Sequence, residues 1–296
     1  MPVRPGNRHV LNAVALRDAL DSLYDGFNQP DSALDPVQIV RRYVRTDDRE
    51  VVAFVAAGLA FGRVASVMAS VEALCRVLGP EPAAFIRGFD PARHGAPLMP
   101  LVHRWTRGAD FIALLWILRR FVEEHGSIEK AFAAGVEPDA PDFGPALDRF
   151  SGWARRVDLR PAYGRRVPER PGAFYFFSQP ATGAACKRLN LFLRWMVRTD
   201  RVDPGGWTEL RPRQLVVPLD THTIRVGRCL RLTRRASPGW KMATDITAAL
   251  RALDPDDPVR YDFSLCHLSM MGACGWHTAR GNRVCPLREV CRPARE

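Results

Sequence analysis

Only three of the chain's 43 basic residues are lysines, and one of them stands where amine chemistry is possible. Because an arginine side chain stays protonated, a nucleophilic amine must come from a lysine. Lys187 follows the Pro/Gly turn "QPATG" and opens the segment "KRLNLFLRWMV", whose apolar spacing predicts a helix. The N–H groups of such a helix start can also bind a phosphate, with Arg188 close by. The alternative is that Lys130, Lys187 and Lys241 persist by chance.

Asp220 stands at a second junction, in "VVPLDTHTIRVGRCLRL" (216–232), where a buried extended segment meets an arginine-bearing helix. A carboxylate there can cap the helix, because it accepts N–H bonds from the first turn and its charge suits the helix dipole. A carboxylate can also stabilise positive charge that develops on a bound substrate. Taken alone, the segment is compatible with either role.

The basic residues are concentrated in one part of the chain. The net charge is +11, and residues 151–235 carry 18 lysines and arginines against 6 aspartates and glutamates, whereas the remainder carries 25 against 26. A basic stretch that surrounds both candidate residues favours a phosphate-binding face and a nucleic-acid partner. An anionic membrane surface or an acidic protein partner is the alternative.

Helical periodicity dominates the chain, and no segment shows the sustained alternation typical of strands. The stretches 133–172 and 199–215 are rich in proline, glycine and arginine, which predicts long loops. We therefore predict an all-α protein with two packed helical lobes. The predicted helices are 51–61, 64–78, 111–125, 144–157, 186–198, 240–253 and 259–274.

The bulk composition predicts a cytoplasmic globular protein. Hydrophobic residues make up 47% of the chain and charged residues 25%, which is typical of such proteins. The longest apolar run, "VVAFVAAGLAF" (51–61), is too short to span a bilayer. The N-terminus also lacks the apolar stretch of a secretory signal, so no membrane partner is expected.

The two candidate segments together resemble a known enzyme superfamily. "K-R-L-N-L-F-L" from Lys187 and "V-P-L-D-T-H-T-I-R-V" around Asp220 are similar to the helix-hairpin-helix-GPD DNA glycosylases, which include endonuclease III and the 8-oxoguanine glycosylases. The resemblance covers roughly 178–230, with looser likeness at 48–79 and towards 291, and is closest to a poorly characterised bacterial branch. The hairpin differs from the usual L-P-G-V-G-x-K pattern, because "PATGAACK" has one glycine, Gly183.

The resemblance implies a fold and a set of residue roles. One lobe would comprise residues 1–50 and 221–296, the other residues 51–220, and damaged double-stranded DNA would bind a monomer in the cleft between them. Lys187 would be the nucleophile and Asp220 the essential carboxylate. The residues expected to contact DNA are Gly183, Arg188, His222 and Arg225.

The implied reaction is removal of a damaged base that has left the DNA stack. The carboxylate would stabilise positive charge on the deoxyribose, and the amine would form a Schiff base that allows strand cleavage. The ammonium must first lose a proton, which burial or the neighbouring Arg188 would favour. The 33-residue separation of Lys187 and Asp220 resembles that of archaeal 8-oxoguanine glycosylases and favours an oxidised purine. Within "FYFF" (174–177), some rings could stack on the base.

Seven cysteines divide into two groups. Cys75, Cys186 and Cys229 lie on apolar helix faces and are predicted core residues. Endonuclease III-like enzymes end in C-x6-C-x2-C-x5-C, which holds a [4Fe–4S] cluster, and here the x5 spacing is kept but Asn282 replaces one ligand. Three interpretations remain: a rearranged cluster, a zinc site that includes His267 or His277, or no metal. The candidate ligands are Cys266, Cys274, Cys285 and Cys291.

Two other functions are compatible with these patterns. One is a non-catalytic DNA-binding protein that retains the helix-hairpin-helix-GPD fold. The other is a metal-dependent regulatory protein built on the C-terminal cysteines. The sequence favours a DNA base-excision repair glycosylase, with or without accompanying strand cleavage.

Overall fold

Helices make up the regular structure of this chain. The computed structural model describes residues 5–272 and 285–291, and within them we find fourteen α-helices, short 3-10 turns, two isolated β-bridges and no strand. The predicted all-α class is confirmed for these residues. The α-helices are α1 (Pro5–Phe27), α2 (Val37–Val40), α3 (Thr46–Gly58), α4 (Val64–Leu78), α5 (Pro82–Gly88), α6 (Pro91–His94), α7 (Gly108–His125), α8 (Ile128–Ala133), α9 (Gly144–Ala154), α10 (Arg160–Tyr163), α11 (Lys187–Val197), α12 (Thr221–Cys229), α13 (Trp240–Arg251) and α14 (Asp262–Met270).

Only the helix predicted over 64–78 has the predicted ends, and two of the others differ most from their predicted bounds. The helix predicted from the apolar run 51–61 begins earlier, at Thr46, because Asp47 and Asp48 in its first turn suit the positive end of the helix dipole. The helix predicted over 259–274 is shorter and ends at Met270. Gly272 then adopts a positive φ of 70°, the left-handed conformation that commonly terminates helices.

Helix α11, which begins with Lys187, packs against α3 in the core. The rings of Phe54 on α3 and Phe192 on α11 meet edge to face with centroids 5.0 Å apart. Phe177, just before the turn that leads into α11, also lies against Phe54, at 5.4 Å. This packing holds the first turn of α11 beside the chain that leaves α3 at residues 59–61.

Helix α14 packs against both α12 and α1, so residues from the two ends of the chain meet there. Tyr261, which precedes α14, donates a hydrogen bond to Asp21 on α1 at 2.7 Å. The buried apolar side chains of the described residues form one connected cluster that reaches from Leu20 to Leu287. The division into two lobes therefore stays a prediction.

A buried group of charges ties α11 to α14. Arg194 on α11 forms ion pairs with Asp203 at 3.1 Å and with Asp262, the first residue of α14, at 2.6 Å. Arg198 pairs with Asp203 and, at 2.8 Å, with Asp257. Asp203 is fully buried and accepts from both arginines. This group fixes the relative position of the two helices that carry Lys187 and Cys266.

Replacing Asp203 with alanine should lower the free energy of unfolding by about 3–5 kcal/mol, because two buried guanidinium groups lose a shared partner. The measurement is urea-induced unfolding followed by circular dichroism. Asp245→Ala is the matched control: its pair with Arg235 is solvent-exposed and should contribute less than about 1 kcal/mol. Equal losses for the two variants would show that the buried group does not hold the helices together.

None of the helices in the described part of the chain is both long enough and apolar enough to cross a membrane.

Candidate active site

Asp220 caps helix α12 with one of its two carboxylate oxygens. The buried extended segment Val216–Leu219 leads to it, and the backbone N–H of Val217 donates to Thr247 Oγ1 at 3.1 Å. Asp220 Oδ1 accepts hydrogen bonds from the backbone N–H groups of His222 and Thr223, both at 2.9 Å. The second oxygen, Oδ2, takes no part in the cap and faces Lys187.

The structure brings Lys187 and Asp220 together although they are 33 residues apart. Lys187 Nζ lies 3.3 Å from Asp220 Oδ2 and donates to the carbonyl oxygen of Ala60 at 3.2 Å. The Lys187 side chain is 32% exposed and that of Asp220 16%, so the pair is accessible at its lysine end. Cys186, which precedes α11, has a φ of +50°, and this left-handed residue turns the chain into the helix.

Cys266 on α14 is a third member of this site. Its thiol donates to Asp220 Oδ2 at 3.7 Å and lies 3.8 Å from Met270 Sδ. Burial, and next the Asp220 carboxylate, raise the pKa of the Cys266 thiol well above its ordinary value, so the thiol stays protonated and acts as a donor. The position of Cys266 in the sequence groups it with the C-terminal cysteines and gives no sign of this contact, which depends on how α14 packs on α12.

The electrostatic surroundings of Asp220 favour its ionised form. Burial by itself raises the pKa of Asp220, but the positive charge of Lys187 and the N–H of Thr223 lower it by more, and the net pKa lies below the ordinary value. Asp220 is therefore a carboxylate at neutral pH. Oδ2 places this negative charge beside a partly exposed amine, an arrangement that can stabilise a cationic sugar and hold a nucleophile.

The four residues expected to contact DNA differ in their exposure to solvent. Gly183 is exposed in a left-handed turn with a φ of 82°. His222 is half-buried, and its Nδ1 lies 3.1 Å from Ser269 Oγ on α14. Arg225 is exposed on α12, whereas the Arg188 guanidinium is enclosed by rings, with Cζ 5.3 Å from the Phe61 centroid. Gly183, His222 and Arg225 thus remain reachable by a ligand at the surface.

Three exposed arginines come after Asp220 in the sequence. Arg225, Arg231 and Arg234 are exposed and form no ion pair with any residue that the structure describes. By contrast, Arg194 and Arg198 in the same basic stretch are buried in the ion-pair group. The basic stretch therefore contains two kinds of arginine: buried ones that form ion pairs inside the protein and exposed ones that face solvent.

Trp105 is an exposed aromatic residue that the sequence-based predictions do not include. It lies in the loop before α7, its ring stacks on Phe61 with centroids 4.6 Å apart, and it is 48% exposed. Of the four aromatics 174–177, Tyr175 is exposed whereas Phe176 and Phe177 are buried in the core. The only sequence signal for Trp105 is a large aromatic residue in the polar segment "VHRWTRG", which gives no indication of its neighbours.

The metal prediction falls partly outside the described residues, because Cys274 and His277 are not among them. Among the residues that are described, no group of three or more histidine, cysteine, aspartate or glutamate side chains is arranged to hold a metal ion. Cys266, the one candidate ligand on a described helix, lies against Asp220. Metal binding by Cys266, Cys274, Cys285 and Cys291 stays a prediction.

Comparison with known proteins assigns the chain to a protein family. No curated protein and no solved structure matches the chain. One family model matches residues 35–271, which include α2 to α14 and every residue of the Lys187–Asp220–Cys266 site. The chain therefore belongs to the DUF2400 family, described as proteins of unknown function.

Proposed function

We propose that this protein is a DNA glycosylase that removes a damaged base, with an oxidised purine such as 8-oxoguanine as the expected substrate. The observation that carries the proposal is the contact of Lys187 Nζ with Asp220 Oδ2 at 3.3 Å, at a partly exposed position. An amine and a carboxylate at this distance can act on the same sugar carbon. The resemblance of both segments to the helix-hairpin-helix-GPD glycosylases supports the same assignment.

The two groups divide the chemistry between them. As the bond from C1′ of the deoxyribose to the base breaks, its electron pair leaves with the base, and the Asp220 carboxylate stabilises the cationic sugar. The Lys187 ammonium gives a proton to the departing base and becomes a neutral amine. The amine then adds to C1′, loses a proton to water, and the C1′–O4′ bond opens with protonation of O4′ to leave a protonated Schiff base.

Cys266 and the α12 cap would keep Asp220 in position during this sequence. Oδ1 is held by two backbone N–H groups, and Oδ2 accepts from the Cys266 thiol. A carboxylate fixed at both oxygens does not need to reorganise when charge develops beside it, which is the basis of electrostatic preorganisation. Both contacts come from the protein, so they are available before DNA binds.

DNA binding would use the exposed basic residues near the site. Arg225, Arg231 and Arg234 lie on α12 and just after it, directly beyond Asp220 in the chain. Contacts of this kind with phosphates are not specific for sequence and weaken with salt. In this proposal a monomer in the cytoplasm binds duplex DNA in a cleft between the lobes 1–50 with 221–296 and 51–220.

The test is base release from a panel of duplexes, each of which carries one defined lesion opposite each normal base. We expect release from at least one oxidised-purine duplex, together with a covalent complex when borohydride is present. Release of a different lesion would correct the substrate but keep the reaction. Binding to DNA without release or trapping across the whole panel would contradict the proposal and favour a non-catalytic DNA-binding protein.

A further inference from the structure

A cavity of about 350 Å³ opens to solvent where α7 and the end of α9 meet residues 156–161. Its volume lies at the lower end of the range for small-molecule sites, which is about 300–1,000 Å³. None of the described residues that line it belongs to the Lys187–Asp220–Cys266 site, so the proposed base removal gives this cavity no role. We call it the α7–α9 cavity.

Two half-buried tryptophans line the α7–α9 cavity, and the protein fixes both of them. The indole N–H of Trp116 donates to the backbone carbonyl of Asp158 at 3.0 Å. The indole N–H of Trp153 donates to Glu124 Oε1 at 2.9 Å, and its ring stacks on Phe121 with centroids 4.3 Å apart. Because both N–H groups already have acceptors, the two rings offer a ligand apolar surface rather than donors.

The two carboxylates at the cavity are already engaged with other groups of the protein. Asp158 forms an ion pair with Arg160 at 2.8 Å, and hydrogen bonds from this guanidinium lower the pKa of Asp158. Glu124 accepts from Trp153 and lies 3.6 Å from His125 Nε2. Since both acids have partners inside the protein, the cavity does not favour a cationic ligand.

The two arginines at the cavity differ in their partners. Arg120 forms an ion pair with Glu123. Arg156 is exposed, and its side chain forms no ion pair or hydrogen bond with any residue that the structure describes. A guanidinium stays charged and presents its donors in a planar fork that matches a phosphate group. The α7–α9 cavity therefore combines the surface of two rings with one unpaired anion-binding group.

We propose that the α7–α9 cavity binds a mononucleotide, with the base against Trp116 and Trp153 and the phosphate on Arg156. Every base has a π face that stacks on aromatic side chains, and arginine binds phosphate through paired hydrogen bonds. The nucleotide is either free in solution or the 5′-terminal residue of a DNA strand, since both present the same base and phosphate. The inference is independent of the glycosylase assignment, because it uses no residue of that site.

The experiment is a calorimetric titration of the whole chain with dAMP, and separately with deoxyadenosine and with inorganic phosphate. Only dAMP carries both features, so we expect it to bind at least about tenfold more tightly than either of the others. Arg156→Gln should weaken dAMP binding by about 10- to 100-fold, because hydrogen bonds from a charged group are lost. Trp116→Leu should weaken it by about 5- to 100-fold, whereas Trp116→Phe keeps a ring and should retain most of the affinity.

Two further variants locate the site. Arg166→Gln removes another exposed arginine that has no ion pair with a described residue, and it should bind dAMP as the wild type does. Lys187→Gln should also bind dAMP normally, because Lys187 does not line the cavity. The exposed positions of Arg156 and Arg166 make loss of folding an unsuitable explanation for a difference between their variants.

Three results would overturn the proposal. They are no binding of dAMP to the wild type at millimolar concentration, equal binding by the wild type and Arg156→Gln, and binding that is lost in Lys187→Gln but kept in Arg156→Gln. If dAMP binds as expected, a 5′-phosphorylated single strand that displaces it would identify a strand end as the ligand. Failure of the strand to displace dAMP would identify a free nucleotide.

Discussion

Lys187→Gln should abolish the covalent complex that borohydride traps on a lesion-containing duplex. Borohydride traps a Schiff base, which forms only from an amine, and glutamine has none. Base release should fall by ~10²–10⁴-fold if it depends on the amine and its proton. The fold should persist, because Lys187 lies at the start of α11 with a partly exposed side chain and takes no part in the buried ion-pair group.

Two control variants make this result specific. Lys187→Arg keeps a positive charge beside Asp220 but cannot form a Schiff base, so trapping should also be lost while DNA affinity stays close to that of the wild type. Lys241→Gln removes another of the three lysines, an exposed one on α13, and should trap normally. Trapping that survives Lys187→Gln but disappears in Lys241→Gln would place the nucleophile on α13 and reject the present site.

Asp220→Asn should reduce single-turnover base release by ~10²–10³-fold while the protein keeps nearly all of its stability. The two oxygens of Asp220 have separate tasks, so an asparagine whose carbonyl takes the place of Oδ1 still accepts from His222 and Thr223. Its amide then replaces Oδ2, and the negative charge beside Lys187 is lost. Asp220→Ala also removes the cap and should cost about 1 kcal/mol of stability in addition.

The pH dependence gives an independent check on Asp220. Its folded-state pKa lies below the ordinary value, so its contribution to stability is present above that value and is lost only as the pH falls through the lowered folded-state pKa. Between pH 5 and 8 Asp220 stays ionised. The residual activity of Asp220→Asn should therefore follow the same profile as the wild type over this range. A wild-type acid limb near pH 6 that vanishes in the variant would show that the carboxylate titrates there.

The helices were largely predictable because their signals are local. Apolar spacing and a glycine stop place α4 at Val64–Leu78, as expected, and α11 differs from its prediction by one residue at each end. The start of α3 and the end of α14 were harder to predict. In the sequence, Asp47 and Asp48 look like surface residues outside a helix, and Gly272 ends α14 only because its φ is positive. Residue types and spacing determine which segments are helical, and capping geometry decides where they stop.

Lys187 and Asp220 were each identified from the sequence as candidate site residues. The scarcity of lysine pointed to three residues, the junction before α12 pointed to Asp220, and the resemblance to the glycosylases selected the pair Lys187 and Asp220. Capping and chemistry were competing explanations for that aspartate. The structure shows why they are compatible, since Oδ1 caps the helix and Oδ2 faces the amine.

The sequence by itself determined the helical class and the basic stretch, because these depend on residue type and short-range spacing, and its resemblance to the glycosylases proposed Lys187 and Asp220 as the candidate pair. Only the tertiary structure decided that Cys266 touches Asp220, that the Arg188 guanidinium lies over Phe61, and that Trp105 stacks on Phe61. Each of these contacts joins segments more than 40 residues apart. Such contacts are set by how α3, α11, α12 and α14 pack, and the periodicity of one segment does not show which other segment it packs against.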